Sequence, residues 1–73
     1  MGKLRILSGK EVCQILTRYG FMEIRRRGSH IMMQKIIPGS TITVPVPDHP
    51  QLKIGTLQSI IRQSGIPRSE FES

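Results

Sequence analysis

The stretch FMEIRRRGSHIMMQ, residues 21–34, decides how this chain folds. Gly28-Ser29 separates two strand-like runs, residues 21–27 and 30–35. A two-residue loop with glycine first is the pattern of a type II′ hairpin, because only glycine takes the required positive φ at little cost. Such a loop fixes the register: Arg27 pairs with His30, Arg26 with Ile31, Arg25 with Met32 and Ile24 with Met33. Side chains alternate between the two faces of a strand, so Met22, Ile24, Ile31 and Met33 are expected on one face, where they can be buried. Glu23, Arg25, Arg27, His30, Met32 and Gln34 are expected on the other. The pattern predicts a histidine beside two guanidinium groups on an open sheet face.

Toward the N-terminus, residues 1–7 are a short lead-in. Ser8 and Glu11 then have the spacing of a capping box, and Leu7 can staple onto Val12. Val12, Ile15, Leu16 and Tyr19 form the apolar stripe of a helix over residues 9–19, which Gly20 ends. Toward the C-terminus, Pro38-Gly39 signals a turn, and residues 41–46 read as a third strand. Ile42 and Val44 are expected inward there, with Thr41 and Thr43 outward. Pro45, Pro47 and Pro50 are expected to stop the ladder and constrain a loop over residues 45–52. A second helix is expected over residues 55–64, with Leu57, Ile60 and Ile61 inward, Ile54 packed just ahead and Gly65 as terminator. Pro67 suits the first turn of a short last helix reaching Phe71, whose ring would cover the core edge. The expected architecture is α+β, in the order α-β-β-β-α: a three-stranded antiparallel sheet with two helices on one face and a short C-terminal helix. It resembles a double-stranded-RNA-binding domain in element order and compactness.

A chain of 73 residues is expected to form one domain, spanning 1–73. A domain this small buries roughly 60% of its unfolded surface. No apolar run approaches the ~20 residues a membrane helix needs, and residues 1–7 lack the apolar core of a signal peptide. The single cysteine, Cys13, cannot staple the fold and suggests a reducing compartment, so a cytoplasmic location is expected. The net charge of +6 and the pI near 10.5 favour a polyanionic partner, nucleic acid above all. An anionic membrane ranks lower, because no helix opposes a basic face to a bulky apolar one.

The inventory excludes several chemistries. No glycine-rich phosphate loop or metal-ligating spacing occurs. The five acids, Glu11, Glu23, Asp48, Glu70 and Glu72, are scattered, so neither a metal site nor a cofactor is expected. If this is a nuclease, it works without metal. RNA can be cleaved without metal when its own 2′-hydroxyl attacks the phosphate, given a proton acceptor and positive charge at the phosphate oxygens. A histidine can accept or donate a proton near neutral pH, and Arg25 and Arg27 can grip phosphate oxygens. Ser29, Lys35 and His49 are candidates for a second participant. Each residue also has a plainer reading: a solvated strand histidine, charges that keep a hairpin tip soluble and its edge unpaired, a turn serine, a loop-ordering histidine. Lys53, Gly55 and Thr56 could meet a phosphate at a helix start, which an ordinary helix start explains equally well.

Five strings taken together carry a closer resemblance: SGKEV at 8–12, GF at 20–21, RRRGSHIMMQ at 25–34, TITVPVPDH at 41–49 and GTLQSIIRQSGI at 55–66. In this order and spacing the chain resembles the HicA toxins of toxin–antitoxin systems over nearly its whole length. The resemblance implies a small, metal-independent ribonuclease (an mRNA interferase) with the histidine of GSH, here His30, as catalytic residue. It also implies inhibition by a HicB-type antitoxin, which is expected to cover the face bearing Arg25, Arg27 and His30. With it, Arg25, Arg27, Ser29 and Lys35 are the candidate RNA-binding residues. A non-catalytic RNA-binding module using the same basic sheet face stays open as the alternative.

Overall fold

Ser8 and Glu11 form the expected capping box. The Glu11 amide donates to Ser8 Oγ at 3.1 Å, and the Ser8 amide donates to Glu11 Oε1 at 2.9 Å. A computed structural model describes residues 2–73 of the chain, and in it this box opens helix α1, Gly9–Arg18. Val12, Ile15 and Leu16 are its buried stripe, and Gly20 follows with φ +92°, reversing the chain into the sheet. The strands are β1, Met22–Arg27, β2, His30–Ile37, and β3, Ser40–Pro47; they form one antiparallel sheet in the order β1-β2-β3. Helix α2, Ile54–Ser64, and a 3₁₀ turn, Arg68–Phe71, complete the α-β-β-β-α order. Leu16 from α1, Ile31, Met33, Val44 and Val46 from the sheet, and Leu57 and Ile60 from α2 belong to one core cluster, so both helices cover the same sheet face. Phe71 is fully buried and belongs to that core. Burying such a ring stabilises by about 1.5–3 kcal/mol.

The Gly28-Ser29 hairpin has the expected geometry at its tip. Gly28 has φ +59°, and no described residue other than glycine has positive φ, which fits type II′ and excludes type I′. Arg27, Arg26 and Arg25 pair with His30, Ile31 and Met32 as the loop length dictates. Beyond Arg25 the ladder departs from expectation. A β-bulge at Ile24 leaves Glu23, not Ile24, paired with Met33, and Met22 paired with Gln34. Met22 and Ile24 are therefore not buried: they are 70% and 42% exposed. The reason is coverage, because every residue of β1 is exposed and an apolar side chain there has little core to enter. Bulging instead turns Glu23 and Arg26 to the same side, where their side chains approach to 3.6 Å.

The prolines also behave differently from expectation. β3 continues through Pro45 and Pro47, which pair with Met32 and His30. β3 is an edge strand, and residues two apart present their amide positions to the same side. Both prolines thus turn their missing N–H away from β2, and the ladder is unbroken until Asp48, whose amide donates to the Ser29 carbonyl at 2.7 Å. β2 runs two residues past the expected end, to Ile37. Ile54 is the first residue of α2 and is half exposed rather than packed ahead of it.

The loop after β3 is tied to the start of α1. The Gly9 amide donates to the His49 carbonyl at 2.9 Å, and the Leu52 amide donates to Leu7 at 2.8 Å. A side chain at position 9 would run into the Pro47 carbonyl, so only glycine permits this approach. No helix among the described residues is long and apolar enough to cross a membrane.

Candidate active face

The sheet face turned away from the helices is built in cross-strand rows. Arg27, His30 and Pro47 form the row nearest the hairpin tip, followed by Arg25, Met32 and Pro45, then Met22, Gln34 and Thr43. Directly paired side chains on one face stand roughly 5 Å apart at Cβ. His30 is exposed and lies between a guanidinium on one neighbour and a proline ring on the other. Arg25 is diagonal to it. In the third row the Gln34 amide donates to the Thr43 hydroxyl at 3.1 Å, closing that end of the face with a hydrogen bond.

The three arginines divide by the alternation of the strand. Arg25 and Arg27 stand on the outer face with His30, whereas Arg26 turns to the helix side. There Arg26 Nη1 donates to Asp48 Oδ2 at 2.8 Å. That hydrogen bond lowers the Asp48 carboxyl below its ordinary pKa and raises the Arg26 guanidinium. Arg26 is thus engaged in tying β1 to the loop that follows β3, and the two outer arginines are not held by any acid among the described residues.

Ser29 is at the exposed hairpin tip next to His30, and its carbonyl accepts from Asp48. Lys35 is on the opposite face. Its Nζ lies 6.0 Å from the centre of the Phe21 ring, on the helix side, so the fold separates it from His30. His49 is an exposed loop residue whose carbonyl accepts from Gly9 at the start of α1. Cys13 is half-buried, and burial pushes its thiol up to about 11, the reverse of what a nucleophile needs. Among the described residues no three His, Cys, Asp or Glu side chains converge as a metal site would require.

Two solvent-open depressions meet at His30. One, of about 510 Å³, is lined by Arg27, His30, Met32 and Pro45. The other, of about 350 Å³, lies between the β3 edge and α2, where Pro45 and Pro47 face Thr56, Ser59 and Gln63. The family described as HicA toxin of bacterial toxin–antitoxin matches residues 9–66, from the first turn of α1 to the residue after Gly65. This chain belongs to the HicA toxin family. No curated protein matches it. The HicA match takes in the hairpin, His30 and both depressions, and membership makes the chain the toxin of a toxin–antitoxin pair with a cognate antitoxin as partner.

Of the α2 side of the HicA face, sequence reading reaches only Gly55 and Thr56, and those as a helix start that could meet a phosphate. Thr56, Ser59 and Gln63 recur at i, i+3 and i+7, a polar stripe alongside the buried Leu57, Ile60 and Ser64. That spacing signals a common side of the helix. What it cannot signal is that this side stands against the proline edge of β3 and shares a groove with His30.

Proposed function

We propose that this toxin is an endoribonuclease that cleaves mRNA without a metal ion, using His30 as its acid–base group. The observation that carries the reading is the row Arg27–His30–Pro47: an exposed imidazole beside an unpaired guanidinium, on a face open enough to admit a polymer. Arg25 and Arg27 hold the phosphate oxygens and stabilise the charge that grows on them as the 2′-oxygen attacks. His30 takes the proton of the 2′-hydroxyl, a bond forms from O2′ to phosphorus, and the bond from phosphorus to the 5′-oxygen breaks. The leaving oxygen is protonated by solvent, which reaches the open face. The products are a 2′,3′-cyclic phosphate and a 5′-hydroxyl. Ser29 contributes by fixing the turn that aims His30. A single histidine without a dedicated partner makes a slow enzyme, sufficient for arresting growth.

The α-β-β-β-α order supports the comparison with double-stranded-RNA-binding domains. However, α2 contributes only one basic side chain, Arg62, while the guanidinium pair stands on the hairpin. That distribution favours a sheet-face enzyme over a module that binds through a basic helix. The antitoxin is of the HicB type and silences the toxin by covering the outer face, and the pair acts in the cytoplasm.

The test is cleavage of a labelled single-stranded RNA in excess EDTA by the wild type and His30→Ala, with binding measured in parallel. Cleavage by the wild type alone, ending in a cyclic phosphate, with binding intact in the variant, is the expected result. Binding by both with cleavage by neither would leave a non-catalytic RNA-binding module. Equal cleavage by both would remove His30 from the mechanism.

A further inference from the structure

The two depressions at His30 differ in chemistry. The one over the sheet contains Arg27 and suits a phosphate. The groove between β3 and α2 has no ionisable side chain apart from His30 at its mouth; it offers two pyrrolidine rings, two hydroxyls and a carboxamide. Thr56 and Gln63 make no side-chain hydrogen bond to another described residue, and Ser59 only accepts one, from Arg62 at 3.3 Å. Neutral donors and acceptors beside an apolar floor suit the edge and faces of a nucleobase rather than an anion. The volume, about 350 Å³, lies within the usual range of small-ligand sites.

Every phosphodiester has a nucleoside on each side. A scissile phosphate held at His30 by Arg27 therefore brings one flanking nucleoside to the mouth of this groove. We propose that the β3–α2 groove is a base-reading subsite, in which the Gln63 carboxamide hydrogen-bonds the edge of the nucleobase next to the scissile phosphate. Thr56 and Ser59 supply the hydroxyls around it, and the rings of Pro45 and Pro47 form its floor. The cleavage part of this proposal rests on the ribonuclease reading of His30; the base-reading part rests on the groove alone. The toxin is thus expected to prefer one base at a single position beside the cut, where an open sheet face by itself would cleave without regard to sequence.

The experiment uses the full chain with His30→Ala, so that binding is measured without cleavage. Its affinities for single-stranded hexanucleotides of A, C and U are compared with those of the His30→Ala, Gln63→Ala double variant. A preference among bases of about tenfold that the second substitution levels is the expected result. Gln63→Glu, which keeps the size but removes the amide donor, should reorder the preference, a response that simple loss of structure would not give. Equal preference in both proteins, or none in either, would overturn the subsite. Wild-type cleavage sites on a mixed-sequence RNA, mapped beside those of Gln63→Ala, separate the two readings. Cleavage with the same site pattern in both would overturn the subsite and leave the ribonuclease standing. A Gln63-dependent binding preference with no cleavage would leave the subsite and overturn the ribonuclease. No RNA binding at all would overturn both.

Discussion

Strand alternation separates the three consecutive arginines already in the sequence, and the fold places them on two different faces. Arg26 is held by Asp48 at 2.8 Å on the helix side, while Arg25 and Arg27 stand free on the outer face. Arg27→Ala should therefore lower kcat/KM on RNA by about tenfold or more, the worth of a charge-assisted phosphate contact. Arg26→Ala should leave cleavage nearly unchanged. Lys35→Ala, on the far face, should also change it less than Arg27→Ala does; an equal loss would mean RNA wraps around to the helix side. The Asp48–Arg26 pair has its own pH signature. Its hydrogen bond lowers the Asp48 pKa below 3.8, so the pair's stabilisation is fully present above that value. It is lost as pH falls through the depressed folded value. Asp48→Asn should then melt slightly below the wild type at pH 7, with the gap in Tm closing as the pH is lowered past about 3.8. The gap at pH 7 should be small, because exposed ion pairs contribute little. A gap that grew on acidification would assign the stabilisation to another carboxylate.

At the level of elements, sequence is most informative where one residue type alone satisfies a backbone demand. Gly28 and the Ser8–Glu11 box are of this kind, and the hairpin tip and the start of α1 follow from them. Register is harder to read, because alternation presumes an unbroken ladder and a face worth burying. Ile24 and Met22 violate both conditions: every residue of β1 is exposed, and the ladder is broken by the bulge at Ile24. Pro45 and Pro47 mislead for a related reason, since only the strand order reveals that they occupy an edge. The α2 half of the candidate site was legible only at Gly55 and Thr56, because the groove is created when α2 packs back beside the β3 edge, which no local pattern signals. Gly9 is the junction of α1 with the end of β3, and a side chain there would meet the Pro47 carbonyl, which is backbone and cannot swing aside. Gly9→Ala should cost about 1–3 kcal/mol of unfolding free energy, the usual range for overpacking a tight site. Denaturant melts would measure it. Gly55→Ala is the control: it adds a side chain to open space at an α-helical position, so it should be neutral or mildly stabilising. Equal losses in the two variants would mean that the approach of α1 to β3 is not what position 9 enforces.

Across the whole molecule, the +6 charge gives attraction to any polyanion, and its placement decides which face is used. RNA affinity should fall with rising salt, with a slope of about −0.7 for each phosphate neutralised on a single strand. Arg25→Ala and Arg27→Ala should each reduce that slope by about 0.7, whereas Arg26→Ala should not. The same distinction bears on the antitoxin. A partner that silences the toxin by covering the outer face must meet Arg25 and Arg27, and opposing charge is the economical way to do so. The double substitution Arg25→Glu, Arg27→Glu should then weaken antitoxin binding in parallel with RNA binding, chiefly by slowing association at low salt. Mutual competition provides a second reading: RNA and antitoxin should exclude one another on the wild-type toxin. If the double variant lost RNA but bound the antitoxin with unchanged rate and affinity, the antitoxin would be docked elsewhere. Inhibition would then have to act through the position of His30 rather than through access to it. The bulged and exposed β1, on the far side of the sheet from β3, would be the first element to examine for such an effect, since it supplies both outer arginines and has the least core holding it in place.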